Sequence, residues 1–167
     1  YTGLTAMTSL NFSTNLPNFT TSNVTNMTRM FYQTGWKCMT ELNLGNKFDT
    51  SKVTNMNGMF TLTGQCEMKT LNLGSNFNTS KVTNMANMFN GCSSLTSLSL
   101  GNYFYTTNVT DMTSMFDSLG KYRMTTLDLG PAFTRIASTN SGFASNLGNS
   151  NTKIYVSNAI YQDTTHF

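Results

Sequence analysis

The chain has 167 residues, of which 10% are charged, with a formal net charge of +3 and a single histidine. That length holds one modest domain, 1–167, and its scattered Lys and Arg lack the clustered basic face that a nucleic-acid partner requires. No apolar run approaches the ~20 residues that span a bilayer and no basic-then-apolar leader opens the chain, so Tyr1-Thr2-Gly3 reads as the start of a processed or excised piece whose export signal lies elsewhere.

The first element is the block Met7-Thr8-Ser9-Leu10-Asn11-Phe12, whose alternation predicts a short strand with Leu10 inward and Ser9 and Asn11 outward. After the segment from Phe12 to Phe19 comes Val24-Thr25-Asn26-Met27-Thr28-Arg29-Met30-Phe31. Met27, Met30 and Phe31 stand at helical spacing, and Asn26 before them is a good helix N-cap, so a short helical turn is expected here. The pair then recurs: Met39 to Leu44 with Val53 to Phe60, Met68 to Leu73 with Val82 to Phe89, and Leu95 to Leu100 with Val109 to Phe116. Asn55, Asn84 and Asp111 take the capping place, and Gly45, Gly74, Gly101 and Gly130 follow the strand blocks. The blocks start at Met7, Met39, Met68, Leu95 and Met124, spacings of 32, 29, 27 and 29, and the slips fall in connecting segments. A fifth, degenerate phrase puts Ile136 in the Val position, Ser138 in the capping position, Thr139 and Gly142 in the Met positions and Phe143 in the Phe position. Lys153-Ile154-Tyr155-Val156 opens a last strand over 153–157 that caps the stack.

A unit of strand, turn, short helix, turn buries its apolar side only against the next unit, so the repeat predicts a solenoid. The expected fold is an α/β solenoid of about five repeats, with a parallel sheet on one face and helical turns on the other. Leu10, Leu42, Leu71, Leu98 and Leu127 should stack as an internal ladder.

The run Met88-Phe89-Asn90-Gly91-Cys92-Ser93-Ser94-Leu95-Thr96-Ser97-Leu98-Ser99-Leu100 resembles the Phe-x-x-Cys-x-x-Leu-x-x-Leu core of the BspA-like leucine-rich repeats. The Val-Thr-Asn-Met-x-x-Met-Phe phrase is similar to the variant of that repeat in surface proteins of mycoplasmas and low-GC Gram-positive bacteria. The resemblance runs from about Leu4 to Val156. It implies a right-handed leucine-rich-repeat solenoid, extracellular or cell-surface display, and a role in adhesion, with no catalytic residues to carry over. Cys38 and Cys66 are displaced from the position of Cys92, which argues against a uniform internal cysteine ladder.

Chemistry finds little footing. Met-x-x-Met spacing supplies thioether ligands to Cu(I) in some sites, but here each pair shares the apolar side with Val and Phe, where Met fills gaps between coils. The lone His166 stands next to the last residue, and Glu41, Glu67, Asp49, Asp111, Asp117, Asp128 and Asp163 form no motif, so neither an enzyme nor a cofactor or metal site is expected. Cys38, Cys66 and Cys92 lack metal-site spacing, and whether two of them pair stays open.

Two exposed surfaces remain as candidate ligand-binding sites. One is the outward grid of the strands, including Glu41, Asn43, Thr70, Asn72, Ser97 and Ser99, whose side chains are small and hydrogen-bonding. The other is the variable edge, where Trp36, Lys37, Tyr122 and Arg123 depart from the repeat and have the composition of interface residues. The expected function is a non-enzymatic recognition or adhesion module for a host or matrix protein or a surface glycan. The alternative is a structural subunit of an extracellular filament or a virion fibre or decoration protein, self-associating through the N-terminal end of the solenoid, where no polar cap precedes the first unit.

Overall fold

The computed structural model describes residues 7–13, 16 and 19–157. Leu4, Asp163 and His166 lie outside the described residues. Six strands of three residues form one parallel sheet in sequence order: β1 (Ser9–Asn11), β2 (Glu41–Asn43), β3 (Thr70–Asn72), β4 (Ser97–Ser99), β5 (Thr126–Asp128) and β6 (Lys153–Tyr155). Each unit contributes one strand and returns one level up, which makes a parallel β-solenoid of about five turns. The middle residue of every strand points inward because a three-residue strand has one inward position. Leu10 pairs with Leu42, Leu42 with Leu71, Leu98 with Leu127 and Leu127 with Ile154, so the expected leucine ladder is present and extends by one residue. Between β3 and β4 only Thr70 and Ser97 register. This is the interface with the short, 27-residue spacing, and the two strands part after their first residue.

The wall opposite the sheet differs from expectation. Among the described residues there is no helix, and the phrase from Met to Phe is instead a run of β-turns. Met59 N–H donates to Met56 O, Thr61 N–H to Gly58 O and Thr63 N–H to Phe60 O, all three residues back. The intervening amides leave the coil: Met56, Gly58, Phe60 and Leu62 donate to Asn84, Ala86, Met88 and Asn90 of the next level at 2.8–2.9 Å. A helix would need those donors for its own fourth-previous carbonyls. The third residue of alternate turns is left-handed, at Gly58 (φ 61) and Leu62 (φ 57), and at Asn87 (φ 57) and Gly91 (φ 71) in the next coil. That is the conformation a type II turn demands. Left-handed residues four apart bring side chains inward nearly at the helical period, which is why the pattern imitates a helix.

The expected N-caps therefore serve another purpose. The side-chain oxygens of Asn26, Asn55, Asn84 and Asp111 accept the N–H two residues on, at 2.9 Å each. This is an Asx-turn that starts the turn run, and the same residues form a one-residue parallel ladder, Asn26–Asn55–Asn84–Asp111–Thr139. Thr139 in that ladder shifts the fifth unit by one residue from its sequence assignment. Ala137 occupies the Val position in place of Ile136, Thr139 replaces Ser138, Asn140 and Phe143 fill the Met positions, and Ala144 takes the Phe position.

The rings report the same shift. Phe31, Phe60, Phe89 and Phe116 stack at 5.5, 5.4 and 5.7 Å with interplanar angles of 5°, 5° and 8°, but Phe116 meets Phe143 edge-on at 74°. A second column, Phe77, Phe104 and Phe133, stacks at 6.2 and 6.3 Å beside the first. Buried Met56, Met59, Met85, Met88, Met112 and Met115 fill the space between levels, and Thr21, Thr50 and Thr79 bury hydroxyls that bond the carbonyl of the next coil at 2.6–2.8 Å. Every buried side-chain polar atom among the described residues has a partner.

Candidate functional site

The outward strand positions form two rows. The first is Ser9, Glu41, Thr70, Ser97, Thr126 and Lys153; the second is Asn11, Asn43 and Asn72, then Ser99, Asp128 and Tyr155. The expected binding residues Glu41, Asn43, Thr70, Asn72, Ser97 and Ser99 thus share one face. Asn43 and Asn72 nevertheless have structural work. Their side-chain oxygens accept the N–H of Gly45 and Gly74 at 2.9 Å, and Asp128 does the same for Gly130 at 3.0 Å, closing each strand with an Asx-turn. The Ser99 hydroxyl instead donates to Asp128 Oδ2 at 3.2 Å.

Tyr155 was not foreseen as part of this face. It is 55% exposed and supplies the aromatic group that the rest of the sheet lacks. The signal was available: aligning Ile154 with the leucine ladder places Tyr155 beside Asp128. Around this corner lies an open groove of about 600 Å³, lined by Ser99, Asn102, Asp128, Thr134, Tyr155 and Ser157 among others. A smaller one, about 430 Å³, lies between Asp49, Asn76 and Tyr103. The N–H of Ser51 and then its side chain hold the Asp49 carboxyl below its ordinary range.

The variable edge consists of separate points. Trp36 is 44% exposed, donates from its indole N–H to Gln65 Oε1, and has Lys37 Nζ 6.0 Å from its ring centroid. Tyr122 is 69% exposed with Lys121, not Arg123, over its ring at 5.8 Å. Three levels of stacking separate these aromatics, roughly 14 Å at ~4.8 Å per level, so they line one edge without touching.

All three cysteines are free: Cys38 is half-buried, Cys66 exposed and Cys92 buried. The Cys92 thiol donates to Phe60 O at 3.0 Å, and burial pushes it up from 9.0 to about 12. Folded and unfolded protein both hold it neutral below pH 9. Above that the unfolded chain ionises first, so stability falls as pH rises from 9 towards 12. We expect a loss of up to about 1.4 kcal/mol per pH unit from this group, read as a urea midpoint that drops between pH 8.5 and 10.5 and drops less in Cys92→Ala. At pH 8 a maleimide should label Cys66 in the folded protein and Cys92 only in urea.

Among the described residues no three His, Cys, Asp or Glu side chains gather as metal ligands, and no helix is long and apolar enough to cross a membrane. No curated protein and no solved structure matches the chain. A family model does, over residues 4–43 and 35–154, and its description is "Mycoplasma protein of unknown function, DUF285". Those two stretches take in every turn of the solenoid, and the chain belongs to that family.

Proposed function

We propose that the protein is a non-enzymatic recognition module displayed at the cell surface or secreted, which adheres to a host or matrix protein or to a surface glycan. The observation that carries this reading is the outward sheet face, a ladder of mostly neutral hydrogen-bonding side chains that ends in an exposed tyrosine beside a groove. Such a surface has rigid backing, because every strand is fixed by the leucine ladder behind it, and rigid backing lowers the entropic cost of binding. The BspA-like resemblance of the repeat points the same way.

The test is capture of matrix proteins and cell-surface glycans by the intact chain and by two surface variants. Glu41, Thr70 and Ser97 changed to Lys alter the sheet face without touching an Asx-turn; Trp36 and Tyr122 changed to Ser alter the edge. We expect one set to lose binding by tenfold or more with a nearly unchanged melting temperature. A chain that captures nothing would end the recognition reading.

The structural alternative rests on a different feature. Met30 is 41% exposed whereas its equivalents Met59, Met88 and Met115 are 0%, and Leu16 and Tyr32 of the same coil are 40% and 39% exposed. An apolar first coil suits end-to-end docking of subunits. Size-exclusion chromatography across a concentration series separates the readings, since growth with concentration that Met30→Lys abolishes belongs to the alternative alone.

A further inference from the structure

The groove at the last corner of the sheet is more specific than the face around it. Asp128 is clamped there: Gly130 N–H holds Oδ1 at 3.0 Å and the Ser99 hydroxyl holds Oδ2 at 3.2 Å. Each carboxylate oxygen keeps a further lone pair, so the group presents two fixed acceptors side by side. Beside it in the same row stands Tyr155, a residue more than half exposed. Asn102 and Thr134 complete the lining, and among the described residues their side chains have no hydrogen-bond partner.

We propose that this groove binds a neutral glycan by one pyranose ring. Adjacent hydroxyls of the sugar donate to the two oxygens of Asp128, the C–H face of the ring packs on Tyr155, and the Asn102 amide and Thr134 hydroxyl meet the remaining oxygens. The proposal rests on the recognition reading above and narrows it to one class of ligand. The volume, about 600 Å³, lies within the range of small-ligand sites. Charge decides against other occupants. None of the lining residues is a cation, so a sialylated, sulfated or phosphorylated ligand seated in the groove sets its charge against Asp128, with Lys153 and Arg135 outside the lining. A Lys- or Arg-rich peptide would welcome the carboxylate and the ring, but Lys153 stands two residues before Tyr155 on the same face and Arg135 follows Thr134. A hydrogen-bonding, uncharged ligand with one apolar face satisfies all of these groups.

The experiment uses the whole chain on an array of neutral hexose and N-acetylhexosamine oligosaccharides, sialylated and sulfated oligosaccharides, and an oligo-lysine peptide. Calorimetry with the best neutral oligosaccharide follows. We expect binding confined to neutral glycans, weakened about tenfold or more by Tyr155→Ala and by Asp128→Asn, and kept by Tyr155→Phe. Asp128→Asn retains an oxygen for Gly130 N–H, so its melting temperature should stay near that of the parent and misfolding cannot mimic the result. Binding of charged glycans or of the peptide in place of neutral ones, or neutral binding indifferent to both substitutions, would overturn the proposal. Silence of the whole array would overturn it too. In that case capture of a matrix protein through the sheet face or the Trp36 edge leaves the recognition reading standing, and failure of both assays removes both.

Discussion

Replacing Phe89 by Ala destabilises the protein by about 3–5 kcal/mol, the range for emptying a packed aromatic site. Phe89 is fully buried, stacked between Phe60 at 5.4 Å and Phe116 at 5.7 Å, and stands in the middle coil. Its loss opens a cavity shared by two interfaces, and a solenoid has no other contacts with which to bridge a weak level. Phe89→Leu refills part of the volume without the ring contacts, and should recover more than half of the loss. Phe143→Ala should cost less, because that ring meets Phe116 edge-on at 74° and Phe133 at 48°, off the axis of the stacked column, and belongs to the last full turn. Urea unfolding of the three variants gives the order; equal losses at 89 and 143 would contradict the continuous column.

The second large effect comes from glycines that look alike. Gly74 and Gly101 both follow a strand, with φ of 79° and 76°. A Cβ on Gly74 would lie 1.9 Å from Gly45 O and 2.8 Å from Gly45 C, backbone atoms that cannot swing aside, whereas a Cβ on Gly101 meets nothing within 4 Å. Gly101→Ala therefore carries only the left-handed strain, roughly 1–2 kcal/mol. Gly74→Ala adds the overlap and should lose roughly 2–5 kcal/mol in all. The difference originates at β3 and β4, whose register ends after one residue pair. Denaturation midpoints that fall together for the two variants would show that this interface closes in solution.

The period, the strands and the inward leucines were legible because an apolar residue between two polar ones, repeated at near-constant spacing, has one reading in a stack. The opposite wall was not. Asn55 offers its oxygen to the N–H two residues on whether a helix or a turn run follows, and inward residues Met56, Met59 and Phe60 have one spacing in both. The left-handed Gly58, Asn87 and Gly142 were the available hint, since Gly and Asn are what a type II turn asks for at its third residue. Arg29 and Ser114 at the same place concealed it. In the fifth unit the consensus had faded, and aligning Phe143 on the Phe column displaced every neighbour by one. At the candidate site the alternation of each strand places the grid over β2 to β4, whereas nothing in it reveals that Asn43 and Asn72 also close their strands, and Tyr155 reads from the sequence as part of the cap.

The turn wall has one more property. Within the Met-to-Phe phrases the amides that leave the coil point the same way: Met27, Arg29, Phe31 and Gln33 donate upward to Asn55, Asn57, Met59 and Thr61, and Met112, Ser114, Phe116 and Ser118 likewise to Thr139, Ser141, Phe143 and Ser145. Peptide dipoles so aligned add as they do along an α-helix axis. This wall is therefore electrically polar, with its positive pole toward the last coil and its negative pole toward the first. Neighbouring solenoids lying side by side in one sense repel through this wall, and lying in opposite senses they attract.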